Sequence, residues 1–475
     1  MLDLANTVVR APVDGIVGNR QIRVGRYVTP GTAALDIVPT IARILLRTSS
    51  LTALLHIDVA LDSSILSIIN HTYRLRKKAA GLGGPMKITA IKARVCNAEM
   101  RNWVFVRVET DEPGLFGWGE ATLEWKTRAV VGALQDLEAL LIGQDPRNVE
   151  QCYQILTRHG FWRLGVEGMS AVSGIEIALW DILGKSLGVP VWRLLGGQVR
   201  DYLRTYTHLG LGDMKAVYET GSVDAIVERG RIVTQAGYDA VKVVCIPYTH
   251  YVSPAKAVDS VANMVGSLRE AIGPDIDIMV DFHGRPASVN AAMDYLKAIE
   301  PARIMFAEEP VPPEDVAGLA HITARSAVPI ASGERLIGRR EFTHSITARA
   351  FNIAQPDICH TGGLLETKKI AAMAETAGIG LAPHNPLGPI AGVAALHFGI
   401  STPNVVIQEE MSGAVAWYDE VVTWPIQRKP GRWDLPELPG LGVTVNEDVI
   451  ARHPFKQEVL HARNAVMPDG TVVDW

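Results

Sequence analysis

From about residue 203 the chain repeats one pattern, a short apolar run followed by a longer stretch with helical spacing, and few folds accommodate such repetition. The runs fall at 203–207, 240–244, 276–281, 304–308, 330–333, 351–355, 378–383 and 405–409, roughly 20 to 40 residues apart, as βα units require. Eight of them in about 210 residues predict an α/β fold, a (β/α)8-type, TIM-like barrel whose last unit lacks a full helix. An open doubly wound sheet is the competing topology. No GxGxxG or Walker-type loop follows an early strand, so its nucleotide-binding form has little support.

The chain before the barrel reads differently. Residues 74–85 (RLRKKAAGLGGP) are basic and Gly-rich, which predicts a hinge, and at Met86 an alternating run begins. Strands are expected at 86–95, 103–109 and 116–120, with a turn at Glu112, Pro113 and Gly114, and helices at 128–141 and 170–187. The divisions are therefore an N-terminal extension 1–85, an α+β capping domain 86–202, the barrel 203–415 and a C-terminal segment 416–475.

Composition narrows the partners. At 475 residues with 48% apolar and 20% charged residues the chain is an ordinary globular protein of two or three units. A net charge of −5 without a long basic run gives no reason to expect nucleic acid or a membrane surface. A small-molecule partner is the default. Cys96, Cys152, Cys245 and Cys359 form no CxxC pair, which suits a reducing cytoplasm and suggests neither a disulfide framework nor a zinc site. The apolar stretch 41–69 is broken by Arg43, Arg47, His56, Asp58 and Asp62, so it reads as neither a signal peptide nor a membrane span.

In a barrel the chemistry stands at the C-terminal ends of the strands. Here the third expected strand ends at Asp281, the fourth at Glu308 and the fifth just before Glu334, spaced 27 and 26 residues apart. Acids one βα unit apart project side by side, where they repel one another unless a cation neutralises them. A hard divalent ion with oxygen ligands does this best, and Mg2+ is the natural choice. One acid at a strand end is as easily a solvated loop charge; three at this spacing are not.

His384 follows the seventh strand and Asp357 the sixth. A carboxylate accepting the ring N–H would orient the imidazole and raise its basicity, making the pair a general base. The competing reading of His384 is a packed turn histidine. His283 lies two positions beyond Asp281 and suits a general acid beside the metal, or else an exposed loop position.

The motifs also carry a family resemblance. Asp281 with His283, Gly284 and Arg285, Glu308-Glu309-Pro310, Gly333-Glu334-Arg335, Gln355-Pro356-Asp357, the run 381–389 (LAPHNPLGP) and Gln408-Glu409 stand in order. Before them come GWGE at 117–120, IGQDP at 142–146 and ALWDILGK at 178–185. From Met86 to Trp475 the sequence resembles the enolase superfamily, mandelate racemase subgroup, and within it the sugar-acid dehydratases of the galactonate dehydratase type. That resemblance implies a cap, closed by the C-terminal segment, over a barrel with an incomplete eighth repeat. It implies Asp281, Glu308 and Glu334 as Mg2+ ligands, the His384–Asp357 pair as base and His283 as the acid that expels a hydroxyl. Glu409 is implied at the substrate carboxylate, with Arg163, beside Phe161 and Trp162 in a cap loop, and Arg285 as further substrate-binding groups. The substrate implied is a small sugar acid, and the assembly a homo-oligomer.

One departure bears on the reaction. Many members of the family carry Lys-x-Lys on the second strand, whereas Lys242 is followed here by Val243 and Val244. Without a second lysine base racemase chemistry is disfavoured, while a dehydratase can work with one base and one acid. Cycloisomerase or epimerase chemistry on the same scaffold is the alternative. Residues 7–39 resemble instead a lipoyl-like half-motif of membrane fusion adaptors. An unpaired half-motif suggests a fusion remnant or an upstream start, with Met86 as the functional beginning, and a transport adaptor as the non-enzyme alternative.

Overall fold

The computed structural model describes residues 86–209, 222–458 and 465–474. The lipoyl-like reading of residues 7–39 therefore lies outside the described residues.

The capping unit opens with three antiparallel strands, β1 (Ile88–Ala98), β2 (Arg101–Thr110) and β3 (Phe116–Glu120), in sheet order β1-β2-β3. Strand β2 is buried on both faces over most of its length, with Trp103 and Phe105 on one and Val106 on the other. Three helices follow: α1 (Thr127–Leu141), α2 (Val149–Arg158) and α3 (Val166–Leu187). The sequence patterns anticipate α1 and most of α3; α2 was not anticipated. Helix α3 is buried almost all round between Gly168 and Ile182, which explains why it lacks a polar stripe.

After a short turn of helix, α4 (Val191–Leu194), the barrel runs β4 (Tyr202–His208), α5 (Val223–Gln235), β5 (Ala240–Val244), α6 (Ala255–Ile272), β6 (Asp277–Asp281), α7 (Val289–Ile299), β7 (Phe306–Glu308) and α8 (Val316–Thr323). It continues β8 (Ile330–Ser332), α9 (Gly338–Thr347), β9 (Ile353–Ala354), α10 (Ile358–Thr361), α11 (Leu364–Thr376), β10 (Gly380–Leu381), α12 (Pro389–Ile400) and β11 (Gln408–Glu409). Neighbouring strands pair in parallel from β4 through β10, and β11 pairs in parallel with β4. A parallel bridge between Leu381 and Val405 joins the last segment to β10 and closes the ring. The expected barrel is thereby borne out and the competing doubly wound sheet excluded.

Inside the ring Tyr206, Ala240, Met279, Phe306, Ala331, Ile353, Ala382 and Ile407 form one apolar cluster. Each of the eight runs contributes one member, the filling that makes such a barrel a packed core. Several strands are shorter than their apolar runs, because ladder pairing ends before the apolar packing does. The run at 378–383, for example, yields only β10, yet its Ala382 still fills the interior.

Beyond β11 come β12 (Val422–Thr423), β13 (Arg432–Asp434), β14 (Thr444–Val445) and α13 (Glu447–Arg452). Strand β13 pairs antiparallel with β4, and the Asn97 amide donates to the His453 carbonyl of this segment. The last segment thus touches both barrel and cap. Among the described residues no helix is long and apolar enough to cross a membrane.

Candidate active site

The C-terminal ends of the barrel strands gather an unusual density of charge. Asp281 and Glu308 are directly opposed partners of β6 and β7, so their side chains must share space. Both are buried, as is Glu409 at the end of β11. The Lys242 ammonium, from β5, enters among them at 2.7 Å from Glu409 Oε1, 3.0 Å from Glu308 Oε2 and 3.6 Å from Asp281 Oδ2. A lysine so deeply buried is tolerable only when paired on this scale.

The charges set one another's ionisation. Burial pushes Asp281 upward, but His283 and Lys242 outweigh it and hold the carboxyl below its ordinary range. Glu308 is raised by burial and by Asp281, against the pull of Lys242. Glu334 is raised well above the ordinary value by burial and by Glu309. Burial also opposes ionisation of Glu409, yet Lys242 and His208 bring it well below the ordinary range. Lys242 loses to burial less than it gains from Glu308 and Glu409, and stays charged.

Two histidines flank the acids. His283, just past β6, places Nε2 2.9 Å from Asp281 Oδ2, and its backbone N–H donates to Asp281 Oδ1. His384, just past β10, holds Nδ1 2.8 Å from Asp357 Oδ2 and faces Nε2 toward Glu334 Oε2 at 3.5 Å. Burial lowers the basicity of His384, but Glu334 and the Asp357 hydrogen bond more than restore it. The side chains of His283, His384 and Glu334 are 14–15% exposed, whereas Asp281, Glu308, Lys242 and Glu409 are closed off. The accessible face of the cluster is therefore the one that carries the histidines.

The remaining expected residues divide. Arg285 is buried, donates to the Ile246 carbonyl and lies 4.8 Å over the Tyr248 ring, near the same mouth. Arg163 stands apart from these groups, exposed, with its guanidinium on the Thr157 carbonyl. Phe161 and Trp162 beside it are 89% and 83% exposed.

Two participants escaped sequence reasoning. Lys242 stands in the apolar run AVKVV, every residue of which is buried; a lysine in such a strand is the signal that was available. His208 ends β4 and sets Nε2 2.7 Å from Glu409 Oε1. Among the described residues no group of three or more His, Cys, Asp or Glu side chains is arranged to enclose an ion. The Lys242 ammonium sits where the carboxylates converge.

Comparison with known proteins agrees with this architecture. Residues 82–196 match the model of the mandelate racemase / muconate lactonizing enzyme N-terminal domain, and residues 225–449 match the enolase C-terminal domain-like model. The chain belongs to the enolase superfamily, in its mandelate racemase / muconate lactonizing enzyme branch. It is 40% identical over 382 residues to a D-galactonate dehydratase of Cronobacter sakazakii, covering 78% of this chain and 96% of that one. A D-galactonate dehydratase of Ralstonia nicotianae is 39% identical, with the same coverage. Among solved structures, a mandelate racemase/muconate lactonizing enzyme from Jannaschia sp. CCS1 superposes with a TM-score of 0.72 at 33% identity, covering 79% of this chain and 99% of that one. An enolase superfamily member from Salmonella Typhimurium gives 0.72 at 30% identity, covering 78% and 98%. None of these matches supports the adaptor resemblance of the first 85 residues.

Proposed function

We propose that this hydro-lyase of the enolase superfamily dehydrates a sugar acid of the galactonate type to a 2-keto-3-deoxy acid. The observation that carries the reading is the His384–Asp357 pair, whose Nε2 faces Glu334 of the carboxylate cluster, with His283 against Asp281 of the same cluster.

A proton next to an ionised carboxylate is very weakly acidic, because its removal piles a second negative charge on one small group. Relief of that charge must be stronger in the transition state than in the ground state. The donor set suits Mg2+: Asp281, Glu308 and Glu409 share a single ammonium, and burial together with neighbouring carboxylates pushes Glu308 and Glu334 toward protonation. Asp281, Glu308 and Glu334 would hold the ion, which supplies charge stabilisation to the substrate carboxylate, a general pattern for this superfamily. His384 accepts the α-proton at Nε2 while Asp357 holds its Nδ1–H. His283 protonates the β-hydroxyl as it leaves, and the resulting enol tautomerises to the keto acid. Glu409, Arg285 and Arg163 complete the substrate contacts in this reading. It also carries the division into a capping domain 86–202, barrel 203–415 and closing segment 416–475, a homo-oligomeric assembly and a cytoplasmic setting.

A screen of aldonic and aldaric acids with Mg2+, scored for 2-keto-3-deoxy product, tests the reaction. D-Galactonate or a stereoisomer should give that product; conversion only to an epimer or a lactone would replace dehydration with the alternative chemistry. Glu334→Gln should weaken Mg2+ binding in calorimetric titration.

A further inference from the structure

The barrel helices do not all begin alike. Helix α7 is capped by its own Ser288, whose Oγ accepts from the Ala291 N–H, and α8 by Asp315, which accepts from the Gly318 N–H. Helices α11 and α12 begin at Gly363 and Gly388, which have no side chain to accept anything. Their first amides are nevertheless paired. Glu120, the last residue of cap strand β3, accepts from the Gly388 N–H at 2.7 Å and the Ala391 N–H at 2.8 Å. Glu176, on cap helix α3, accepts from the Leu364 N–H at 2.7 Å and the Leu365 N–H at 3.0 Å.

Both contacts are built. A Cβ at Gly388 would lie 2.6 Å from Glu120 Oε1, and one at Gly363 2.0 Å from Glu176 Oε2, so glycine at each position is what lets the carboxylate reach the amides. Thr122 Oγ1 donates to Glu120 Oε1 at 2.7 Å, and Trp180 Nε1 donates to Glu176 Oε1 at 2.6 Å. Both acids are fully buried, so the amide hydrogen bonds at each helix N-terminus are what offsets the cost of burying the carboxylate.

What these helices follow gives the contacts their meaning. Gly388 lies four residues after His384, and Pro383, Pro386 and Pro389 stiffen that segment. Arg101 of β2 donates to the Pro386 carbonyl at 2.8 Å, and the Asn385 N–H donates to Glu409. Gly363 lies six residues after Asp357, and on the way Gly362 donates to Ser173 Oγ while His360 Nδ1 meets Ser170 Oγ at 3.0 Å, both serines being on α3. Every one of these cap partners grips a segment that carries one member of the proton-abstracting pair.

We propose that Glu120 and Glu176 are positioning residues for the base: through the N-termini of α12 and α11 the cap holds His384 and Asp357 at their mutual hydrogen-bond distance. The proposal rests on the reading of that pair as base and orienter. It makes the cap a frame for the base as well as a cover over the mouth.

Asp181 supplies an internal control. It is the second buried acid on α3, but it accepts from the Trp118 and Leu441 N–H groups and from Lys185, none of which leads to the dyad. The test compares full-length wild type, Glu120→Gln, Glu176→Gln and Asp181→Asn with Mg2+ and D-galactonate, alongside amide hydrogen exchange. Glu120→Gln and Glu176→Gln should lower kcat at least about tenfold while KM stays within about threefold, the signature of a group lost from the transition state only. Exchange should accelerate at the Asn385 amide in Glu120→Gln and over 358–363 in Glu176→Gln, and at neither place in Asp181→Asn. An equal fall of kcat in Asp181→Asn, or unchanged kcat in both glutamine variants, overturns the proposal.

Should wild type fail to turn over D-galactonate, the functional reading is what suffers, and the exchange arm still decides. Faster exchange confined to 388–391, without reaching Asn385, overturns positioning. If Glu120→Gln does not fold, Thr122→Val takes its place, with the same pattern expected at smaller amplitude.

Discussion

The two halves of the barrel mouth are held in different ways. On the side of β5 to β8, Lys242, Asp281, Glu308 and the Arg335–Glu309 pair brace one another, and α7 and α8 carry their own capping side chains. On the side of β9 and β10, the segments bearing Asp357 and His384 take their anchors from the cap. The acid half is therefore braced by barrel residues, whereas the basic half adds cap anchors to the barrel contacts that Asn385 and Pro383 make with Glu409 and Gln408. A cation site needs charge density, which neighbouring strands provide by register. A proton-transferring pair needs orientation, which the cap supplies from a second direction.

The largest effect should come from the orientation-dependent half. His384→Asn removes the accepting nitrogen and is expected to lower kcat by about 10³-fold or more, while calorimetric titration finds Mg2+ affinity within a few-fold of wild type. Turnover near the wild-type rate would break the division of labour between the halves. Next comes the acid half. Lys242→Met leaves Asp281, Glu308 and Glu409 without their shared ammonium, and an unpaired buried charge costs roughly 3–5 kcal/mol. Urea unfolding in EDTA should show that loss, and added Mg2+ should restore more stability to the variant than to wild type. Equal rescue in both proteins would mean that the ammonium does not neutralise the acids.

A smaller effect probes the cap contacts through pH. Burial pushes Glu120 and Glu176 up to about 7, against the hydrogen bonds that each accepts. Asp357 faces Glu120, as do Cys96, Cys359 and Tyr418, while Lys369 and Tyr153 face Glu176. A carboxyl whose folded value lies above its unfolded one binds its proton more tightly when folded. Its contribution is thus complete below the unfolded value of about 4.5 and is lost as pH rises through about 7. Each acid contributes on the order of 3 kcal/mol to that slope. Metal-free protein should grow less stable from pH 5 to pH 8, and each single glutamine variant should flatten the slope. A wild-type slope of opposite sign over that range would show both carboxylates to be stabilised as anions.

The acid half was legible in the sequence and the basic half only partly so, for the same physical reason. Asp281, Glu308 and Glu334 announce themselves because parallel register converts a one-unit spacing into side-by-side side chains. His384 and Asp357 were visible by the same rule. What holds them was not: Glu120 and its partner Gly388 are 268 residues apart, and Glu176 and Leu364 are 188 apart. No periodicity links such pairs, and each acid alone reads as a surface charge. Lys242 was noticed for the lysine missing two places on, while its own position in a wholly buried strand carried the more useful signal. Strand bounds were too long where apolar packing outlasts the ladder, as at Ala382 and Ile407, both in the interior cluster but outside β10 and β11. Helix α2 carries Val149, Cys152, Tyr153 and Leu156 at i, i+3, i+4 and i+7, all buried, a helical stripe that was available in the sequence.

The smallest effect belongs to Arg163, which lies on the cap but outside both halves. Its guanidinium is exposed and bonded to the Thr157 carbonyl, so Arg163→Ala should change stability by no more than about 0.5 kcal/mol. If the loop of Phe161 and Trp162 meets the sugar acid, the variant loses uniform binding: KM rises by a few-fold and kcat is unchanged. That pattern differs from the one expected of Glu120→Gln, where kcat falls and KM holds, because an exposed contact acts on the bound substrate and a buried anchor acts on the base. Steady-state kinetics of the two variants and their double mutant separates the cases. Independent effects should multiply, since Arg163 shares no hydrogen-bonding partner with Glu120. A strong departure from that product would mean that the exposed loop bears on the same anchor that holds His384, and the cap would then act on binding and on proton transfer through one connected surface.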